Sequence, residues 1–250
     1  MKLNKFVNII IGLGLVILLV IALLLIFNRQ VKNQLIKSYQ PEISRKMIIQ
    51  NEKLINQNKH MSNKSNAMTT NQSSKEISFD FDKVQDLDLQ TAVSARIHAS
   101  NVRVVGQIIV PQAGLHLPIG IGVANPTLAL AAGTMRADQK MGQGNYSLAG
   151  HHMLDHNILF GPLYYRAKVG QPIYLTDMKY VYKYVISQKK FISAYQTSVI
   201  NQTKKPIITL ITCDKTGVNR LMIRGKYQAR ILLKNTSKTL RQAVNNPQYN

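Results

Sequence analysis

Short runs rich in β-branched residues, separated by Gly and Pro, constrain the fold of this chain more than any other feature. The runs that predict strands are residues 104–110, 115–119, 145–149, 173–176, 181–186, 207–212 and 221–227. Many short strands at this spacing indicate an all-β fold, an antiparallel barrel or sandwich. One short helix is expected over residues 125–132, with Asn125 as its N-cap and Pro126 at its first position.

An apolar segment precedes the strand-rich region. Residues 6–27 are almost entirely Ile, Leu, Val and Gly, and about 22 residues at about 1.5 Å rise span roughly 33 Å, enough to cross a bilayer. No small-x-small cleavage site follows the segment. Basic residues flank both ends, but long downstream domains translocate largely regardless of charge. We therefore expect a single-pass signal anchor in the cell membrane, with residues 1–5 cytoplasmic and the catalytic part extracellular.

The segments on either side of the strands are polar. Residues 28–76 are rich in Asn, Gln, Lys and Ser, and we interpret them as a stalk or linker in which residues 61–74 form a flexible spacer. Residues 77–233 are expected to be the folded domain, and residues 234–250 a loosely ordered polar tail. The chain has one cysteine, which excludes an intrachain disulfide, so packing alone must hold the domain together.

The net charge of +21 and the pI of about 10.1 raise nucleic acid as a partner. The basic residues are scattered, however, without interleaved aromatic residues, so we predict no nucleic-acid interface. In a membrane-anchored protein, a basic surface suits anionic membrane lipid or acidic wall polymers. General solvation explains the charge as well, and the charge alone therefore assigns no function.

The single cysteine, Cys213, stands at the end of a predicted strand. A free cysteine is usually a small buried apolar residue, but a strand end holds a side chain rigidly and leaves it reachable. If the next turn centres between Thr216 and Gly217, Cys213 lies directly across from Arg220, with the two Cβ atoms about 4.5–5.5 Å apart. A guanidinium there favours the thiolate and can donate to an oxyanion. Arg224 shares the same strand face and is the alternative.

Four residues form a His-His-x-x-Asp-His run: His151, His152, Asp155 and His156. It resembles, imperfectly, the His-x-His-x-Asp-His signature of metallo-β-lactamase-type hydrolases, in which the first two histidines are not adjacent. All six histidines lie at or before position 156, so a further ligand would have to be Asp, Glu or Cys213. A membrane-anchored zinc hydrolase is therefore one alternative. The favoured interpretation is that one histidine of the pair acts as acid or base.

Three motifs together resemble class A sortases of the streptococcal type. They are Thr-Leu-Ile-Thr-Cys at 209–213, Asn-Tyr-Ser-Leu-Ala-Gly-His-His at 145–152, and Arg220 within Asn-Arg-Leu-Met-Ile-Arg-Gly at 219–225. The resemblance implies a closed eight-stranded β-barrel with short helices, anchored outside a Gram-positive cell by its N-terminal helix. It also implies a cysteine transpeptidase that cleaves a Leu-Pro-x-Thr-Gly sorting signal between Thr and Gly. The surface protein is then transferred to an amine of the peptidoglycan precursor, lipid II.

The resemblance also assigns residue roles. Cys213 would attack the Thr carbonyl and form a thioester, His151 would protonate the leaving amine and later deprotonate the acceptor, and Arg220 would stabilise the oxyanion. The residues expected to contact the sorting signal are Thr212, Ala149 and Ile211. A surface binding module that keeps the barrel without the chemistry is a further alternative, although a pure binder has no need of all three catalytic groups.

Some sortases bind calcium through clustered carboxylates near the helix before the catalytic histidine and in the loop before the cysteine strand. Here Asp138 is the single acid between residues 119 and 149, and residues 185–206 contain none. Calcium takes about 6–8 oxygen ligands, charged carboxylates among them. We therefore predict no cofactor and calcium-independent activity.

Overall fold

The computed structural model describes residues 2–62, 77–79, 84, 86–214 and 216–250. The strands are β1 (Val104–Val110), β2 (Leu115–Gly120), β3 (Ala132–Thr134), β4 (Asn145–Ala149), β5 (Pro172–Thr176), β6 (Tyr180–Ser193), β7 (Ile207–Cys213) and β8 (Asn219–Leu232). The helices are α1 (Lys2–Ile26), α2 (Asn28–Lys37), α3 (Arg45–Ser62), α4 (Leu89–Ile97), α5 (Asn125–Leu130), α6 (Gly161–Arg166) and α7 (Lys238–Asn245). The strands close into a barrel in the order β1-β2-β3-β4-β7-β8-β6-β5.

The closed eight-stranded barrel confirms the expected fold, but the barrel is not wholly antiparallel. β2 pairs with β3 in parallel, and so does β4 with β7. Parallel neighbours need a crossover connection, and α5 lies in the crossover between β2 and β3. Side-chain alternation in a sequence indicates strands but not their relative direction, so the pattern could not show these two pairings.

Several elements, among them β3, α4 and α6, were not predicted, and some boundaries were wrong. β3 has three residues, Ala132–Thr134, and lacks the β-branched run that marks the other strands. α4 begins after Asp88, whose carboxylate accepts a hydrogen bond from the amide of Thr91 at 2.7 Å, a standard N-cap. In α5 the N-cap is Ala124 rather than Asn125, and the helix ends at Leu130.

The helices that follow the apolar segment pack on the barrel. Ile36 and Tyr39, at the end of α2, and Ile48 of α3 are buried. The buried Asn51 side chain donates a hydrogen bond from Nδ2 to the carbonyl of Val104 at 2.8 Å. Where the structure describes it, the predicted stalk is thus part of the folded domain. Most of the predicted flexible spacer, residues 63–74, lies outside the described residues.

The C-terminal segment is ordered, which corrects the expectation of a loose tail. Val244 of α7 and Tyr249 are buried. The Asn250 side chain donates to the carbonyl of Gly114 at 2.7 Å and accepts from the amide of His116 at 2.8 Å. Gln40 and Tyr249 exchange side-chain and backbone hydrogen bonds at 3.0 and 2.9 Å. A few apolar residues and paired amides are enough to dock this polar segment.

Among the described residues, no helix by itself has the length and apolar character needed to cross a bilayer. Residues 7–23 of α1 and the α2 helix meet that requirement only together, as a pair bent by 68°.

Candidate active site

The parallel pairing of β4 and β7 brings two of the predicted site residues together. Ala149 lies opposite Ile211 in the ladder, and the amide of Gly150 donates a hydrogen bond to the carbonyl of Ile211 at 3.1 Å. His151 follows the last residue of β4 by two positions, and Cys213 is the last residue of β7, two positions after Ile211. The imidazole and the thiol therefore lie at the same end of two adjacent strands.

The β7–β8 hairpin brings in the third residue. Cys213 and Arg220 are direct partners across the ladder, which confirms the register predicted from the turn. Gly217 has the positive φ of 75° that the turn requires. In this structure the Arg220 guanidinium donates from Nη1 to the carbonyls of Gly217 at 2.7 Å and Asn219 at 3.2 Å. The cation is thus held at the turn, on the other side of Cys213 from His151.

The electrostatic surroundings favour the neutral form of both reacting groups. Burial raises the pKa of the Cys213 thiol, the positive charge of Arg220 opposes that shift, and the carboxylates of Asp86 and Asp214 add to it. Burial also lowers the pKa of His151 to about 4, with Asp86 opposing and Lys32 adding to the shift. Both shifts favour the uncharged forms, the thiol of Cys213 and the neutral imidazole of His151.

Two polar atoms at the site are buried and have no hydrogen-bond partner among the described residues. They are Nε2 of His151 and Oγ1 of Thr212. Leaving a buried polar atom unpaired costs about 1–3 kcal/mol. Such atoms in an active site are suited to pair with a group that arrives from outside the protein.

A groove of about 410 Å³ opens beside Arg220. Its apolar lining residues are Val84, Met135, Ile192, Val199, Ile200 and Ile211. Of the residues expected to contact the sorting signal, Ile211 lines this groove. Ala149 does not line the groove and is fully buried against Val123 and Leu128, and Thr212 is buried next to the cysteine.

The His-His-x-x-Asp-His run does not converge on one point. The His152 ring packs on Tyr164 with centroids 4.3 Å apart, while the His156 ring stacks on Tyr165 at 3.5 Å. Asp155 points to α2, where it is 3.5 Å from the Lys37 ammonium. Within the part of the chain that the structure describes, no three His, Cys, Asp or Glu side chains are grouped to hold a metal ion.

Sequence reasoning missed the residues that reach the site from distant segments. Asp86 and Lys32 act on the pKa of His151, and the segment from Ser193 to Ile200 forms one wall of the groove. No local pattern marks these positions, because they come close to Cys213 only through tertiary packing.

Comparison with known proteins agrees with this architecture. A family model described as the sortase domain matches residues 108–228. Sortase A of Listeria monocytogenes is 38% identical over 200 residues, covering 80% of this chain and 82% of the relative. Sortase A of Streptococcus agalactiae is 33% identical over 236 residues, covering 91% and 88%. The crystal structure of Listeria monocytogenes sortase A superimposes with a TM-score of 0.52 at 41% identity, covering 57% of this chain and 97% of that one.

A barrel with a cysteine, a histidine and an arginine at one rim, together with these matches, defines the class: the chain belongs to the sortase family. The two sortase A relatives, each matched over most of its length, place it in class A. Sortase C-3 of Streptococcus pneumoniae, at 19% identity and a TM-score of 0.55, shares the fold.

Proposed function

We propose that this class A sortase uses Cys213 as its nucleophile, His151 as its acid and base, and Arg220 as its oxyanion partner. The substrates are surface proteins with a Leu-Pro-x-Thr-Gly signal, and the acceptor is an amine of the peptidoglycan precursor. The observation that supports the proposal is the strand pairing: Cys213 pairs with Arg220 in the β7–β8 ladder, and the parallel β4–β7 pairing brings the end of β4, which leads to His151, to the same end of the sheet.

In the first half-reaction the proton of the Cys213 thiol passes to the His151 imidazole as Sγ attacks the Thr carbonyl carbon. The carbonyl electron pair moves onto oxygen, and the resulting oxyanion is stabilised by the Arg220 guanidinium. When the intermediate collapses, the Thr–Gly bond breaks, and His151 returns its proton to the leaving Gly amine. The product is a thioester between Cys213 and the Thr carbonyl.

In the second half-reaction a proton from the acceptor amine passes through His151 to the Cys213 sulfur, the reverse of the first transfer. The acceptor amine attacks the thioester carbonyl, and His151 takes the proton that the amine loses. Collapse of the second intermediate forms the new amide and expels the Cys213 sulfur, which regains its proton from His151. Because the resting imidazole is neutral and its Nε2 has no partner among the described residues, it is ready to accept a proton in both steps.

The sorting signal is proposed to lie in the groove that ends at Arg220. Ile211 would contact the Leu-Pro portion, and the buried hydroxyl of Thr212 would support the thioester region. An apolar peptide segment would bind to this apolar lining, because burying apolar surface stabilises a complex by about 25 cal/mol per Å². Ala149 would shape the floor from below.

The proposed location is the outer face of the cell membrane, with the N-terminus in the cytoplasm. The apolar side chains of α1, such as Leu25 and Ile26, are exposed in the folded chain, which a bilayer would cover. The peptidoglycan precursor is a lipid-linked substrate, and an anchored enzyme meets it at the same surface.

The test is incubation with a Leu-Pro-x-Thr-Gly peptide and candidate amines, followed by mass spectrometry of the products. We expect a new amide with the amine and release of the Gly-terminated fragment. Cys213→Ala should abolish both, and continued turnover by that variant would rule the mechanism out. Inhibition by chelators together with stoichiometric bound metal would point to the zinc hydrolase, and peptide binding without a thioester to a binding module.

The two adjacent histidines provide a matched pair for the assignment of the acid and base. His151→Ala should lose thioester formation, whereas His152→Ala, which removes a ring packed on Tyr164, should retain most of it. A greater loss in the His152 variant would reverse the assignment.

A further inference from the structure

One backbone carbonyl in the groove wall is held by two different strands. The carbonyl of Val199 accepts a hydrogen bond from Asn145 Nδ2 at 2.9 Å and another from Arg224 Nη2 at 3.1 Å. Asn145 is the first residue of β4, and Arg224 lies within β8. The segment between β6 and β7 is therefore tied to the strands that lead to His151 and Arg220.

Asn145 has 0% exposure, and its polar groups are all engaged. Its Nδ2 also donates to the carbonyl of Asn201 at 3.1 Å, and its backbone amide donates to Gln202 Oε1 at 2.9 Å. Its Oδ1 accepts from the hydroxyl of Thr209 at 2.8 Å. Because the buried Asn145 side chain has all its polar atoms paired, any shift of it would leave several groups unpaired, which favours one arrangement.

Arg224 extends the same network across the sheet. It lies directly opposite Thr209 in the β7–β8 ladder, and Thr209 bonds to Asn145. Three adjacent strands thus contribute to one point of attachment for Val199. Arg220 is four residues from Arg224 on the same strand face, but its guanidinium is held at the hairpin turn.

The segment that Asn145 and Arg224 hold in place is a wall of the groove. The side chains of Val199 and Ile200 line it and pack against the buried cluster of Ile192, Ile211 and Met222. The backbone there is a single turn of 3-10 helix, Thr197–Ile200, in which poor hydrogen-bond geometry gives little rigidity of its own. Its position must come from the contacts to the barrel.

We propose that Asn145 and Arg224 form a clamp on the Val199 carbonyl that sets the width of the groove and so the affinity for the apolar part of the sorting signal. Both are positioning residues, since neither touches the reacting atoms. The proposal rests on the proposed function of the groove. Because the clamp acts on the wall and not on Cys213, a change in the clamp should alter substrate affinity while leaving the chemical step unchanged.

The main test is Arg224→Met, which keeps an unbranched apolar side chain close to the arginine stem and removes the guanidinium donors. We expect KM for the Leu-Pro-x-Thr-Gly peptide to rise about tenfold with kcat within about twofold, the signature of lost ground-state and transition-state binding together. Arg224→Lys, which retains a donor, should recover part of the affinity. Arg230→Met is the matched control, because Arg230 lies on the same strand with its guanidinium over the Tyr180 ring, away from the groove.

A second readout separates positioning from general stability. The rate at which a small neutral reagent alkylates Cys213 does not depend on the groove, so it should be unchanged in Arg224→Met. The clamp would be refuted if Arg224→Met left KM unchanged. It would also be refuted if that variant lowered kcat, the alkylation rate and the melting temperature together. Asn145→Ala should reproduce the KM effect if it still unfolds cooperatively, and if it does not fold, the Arg224 variants decide. Turnover by Cys213→Ala would instead refute the function itself.

Discussion

Lys37 pairs with Asp155, the ammonium lying 3.5 Å from the carboxylate oxygen Oδ2. Lys37 ends the helix that directly follows the apolar α1, and Asp155 lies four residues after His151. The Asn33 side chain donates to the same carboxylate at 3.4 Å, and Lys32 donates to the carbonyl of Leu87 at 2.8 Å. The helix that follows the apolar α1 therefore contacts the loop that carries the proposed acid and base.

This docking predicts that the segment before the barrel stabilises the catalytic domain. Ile36, Tyr39 and Ile48 are buried, and burial of such side chains contributes about 1.5–3 kcal/mol each. A protein that lacks residues 1–76 should melt at a clearly lower temperature than one that lacks residues 1–27, as measured by thermal unfolding in the same buffer. Equal melting temperatures would mean that residues 28–76 do not stabilise the domain and act only as a stalk.

The raised pKa of Cys213 predicts how its reactivity depends on pH. Because burial disfavours the thiolate, the alkylation rate of the substrate-free enzyme should keep rising at pH values above the ordinary pKa of a cysteine thiol. Arg220→Ala removes the charge that opposes this shift, so its profile should move to still higher pH. A rate that is already constant at neutral pH would show a thiolate–imidazolium pair at rest.

Arg220 should contribute mainly to the transition state. We expect Arg220→Ala to lower kcat/KM by a factor of about 10²–10³, the usual cost of removing one oxyanion donor. Arg220→Lys should recover only part of it, because an ammonium lacks the planar fork of a guanidinium. Arg230→Ala is the control on the same strand, and an equal loss in that variant would mean that the effect reflects general charge.

Tyr249 offers a prediction about stability. Its ring is 7% exposed, and its hydroxyl is buried with no hydrogen-bond partner among the described residues. Tyr249→Phe should therefore raise the free energy of unfolding by about 1 kcal/mol, measured by urea denaturation. Tyr184→Phe is the matched control, because the Tyr184 hydroxyl accepts a hydrogen bond from the amide of Gly142 at 2.8 Å, and its loss should be destabilising.

Turnover should not depend on calcium. Asp138, the single acid in the segment before the catalytic histidine, forms a two-pronged ion pair with Arg136 at 2.8 Å in each contact. Because both oxygens of the Asp138 carboxylate accept hydrogen bonds from Arg136, binding a metal ion there would require breaking this ion pair. Rates of peptide cleavage with added calcium and with a chelator should agree within about twofold, and a large gain on adding calcium would contradict the prediction.

The sequence alone determined the features that depend on neighbours along the chain. Runs of β-branched residues indicated seven of the eight strands, and residues 104–110 and 145–149 have the bounds that the structure shows, whereas β6 and β8 extend well beyond the predicted 181–186 and 221–227. The position of the hairpin turn by itself predicted that Cys213 pairs with Arg220, because the length of a tight turn determines the register of the two strands. The proximity of His151 came only through resemblance, since it needs a parallel pairing between strands some sixty residues apart.

Tertiary structure decided the rest. The polar segments before and after the barrel contain few apolar residues, and whether Ile36 or Tyr249 is buried depends on a partner surface that no local pattern encodes. The charges that Asp86 and Lys32 bring to His151, and the clamp of Asn145 and Arg224 on Val199, likewise join residues far apart in the chain. Such contacts follow from how the barrel closes, because closure determines which distant side chains share a low-dielectric interior.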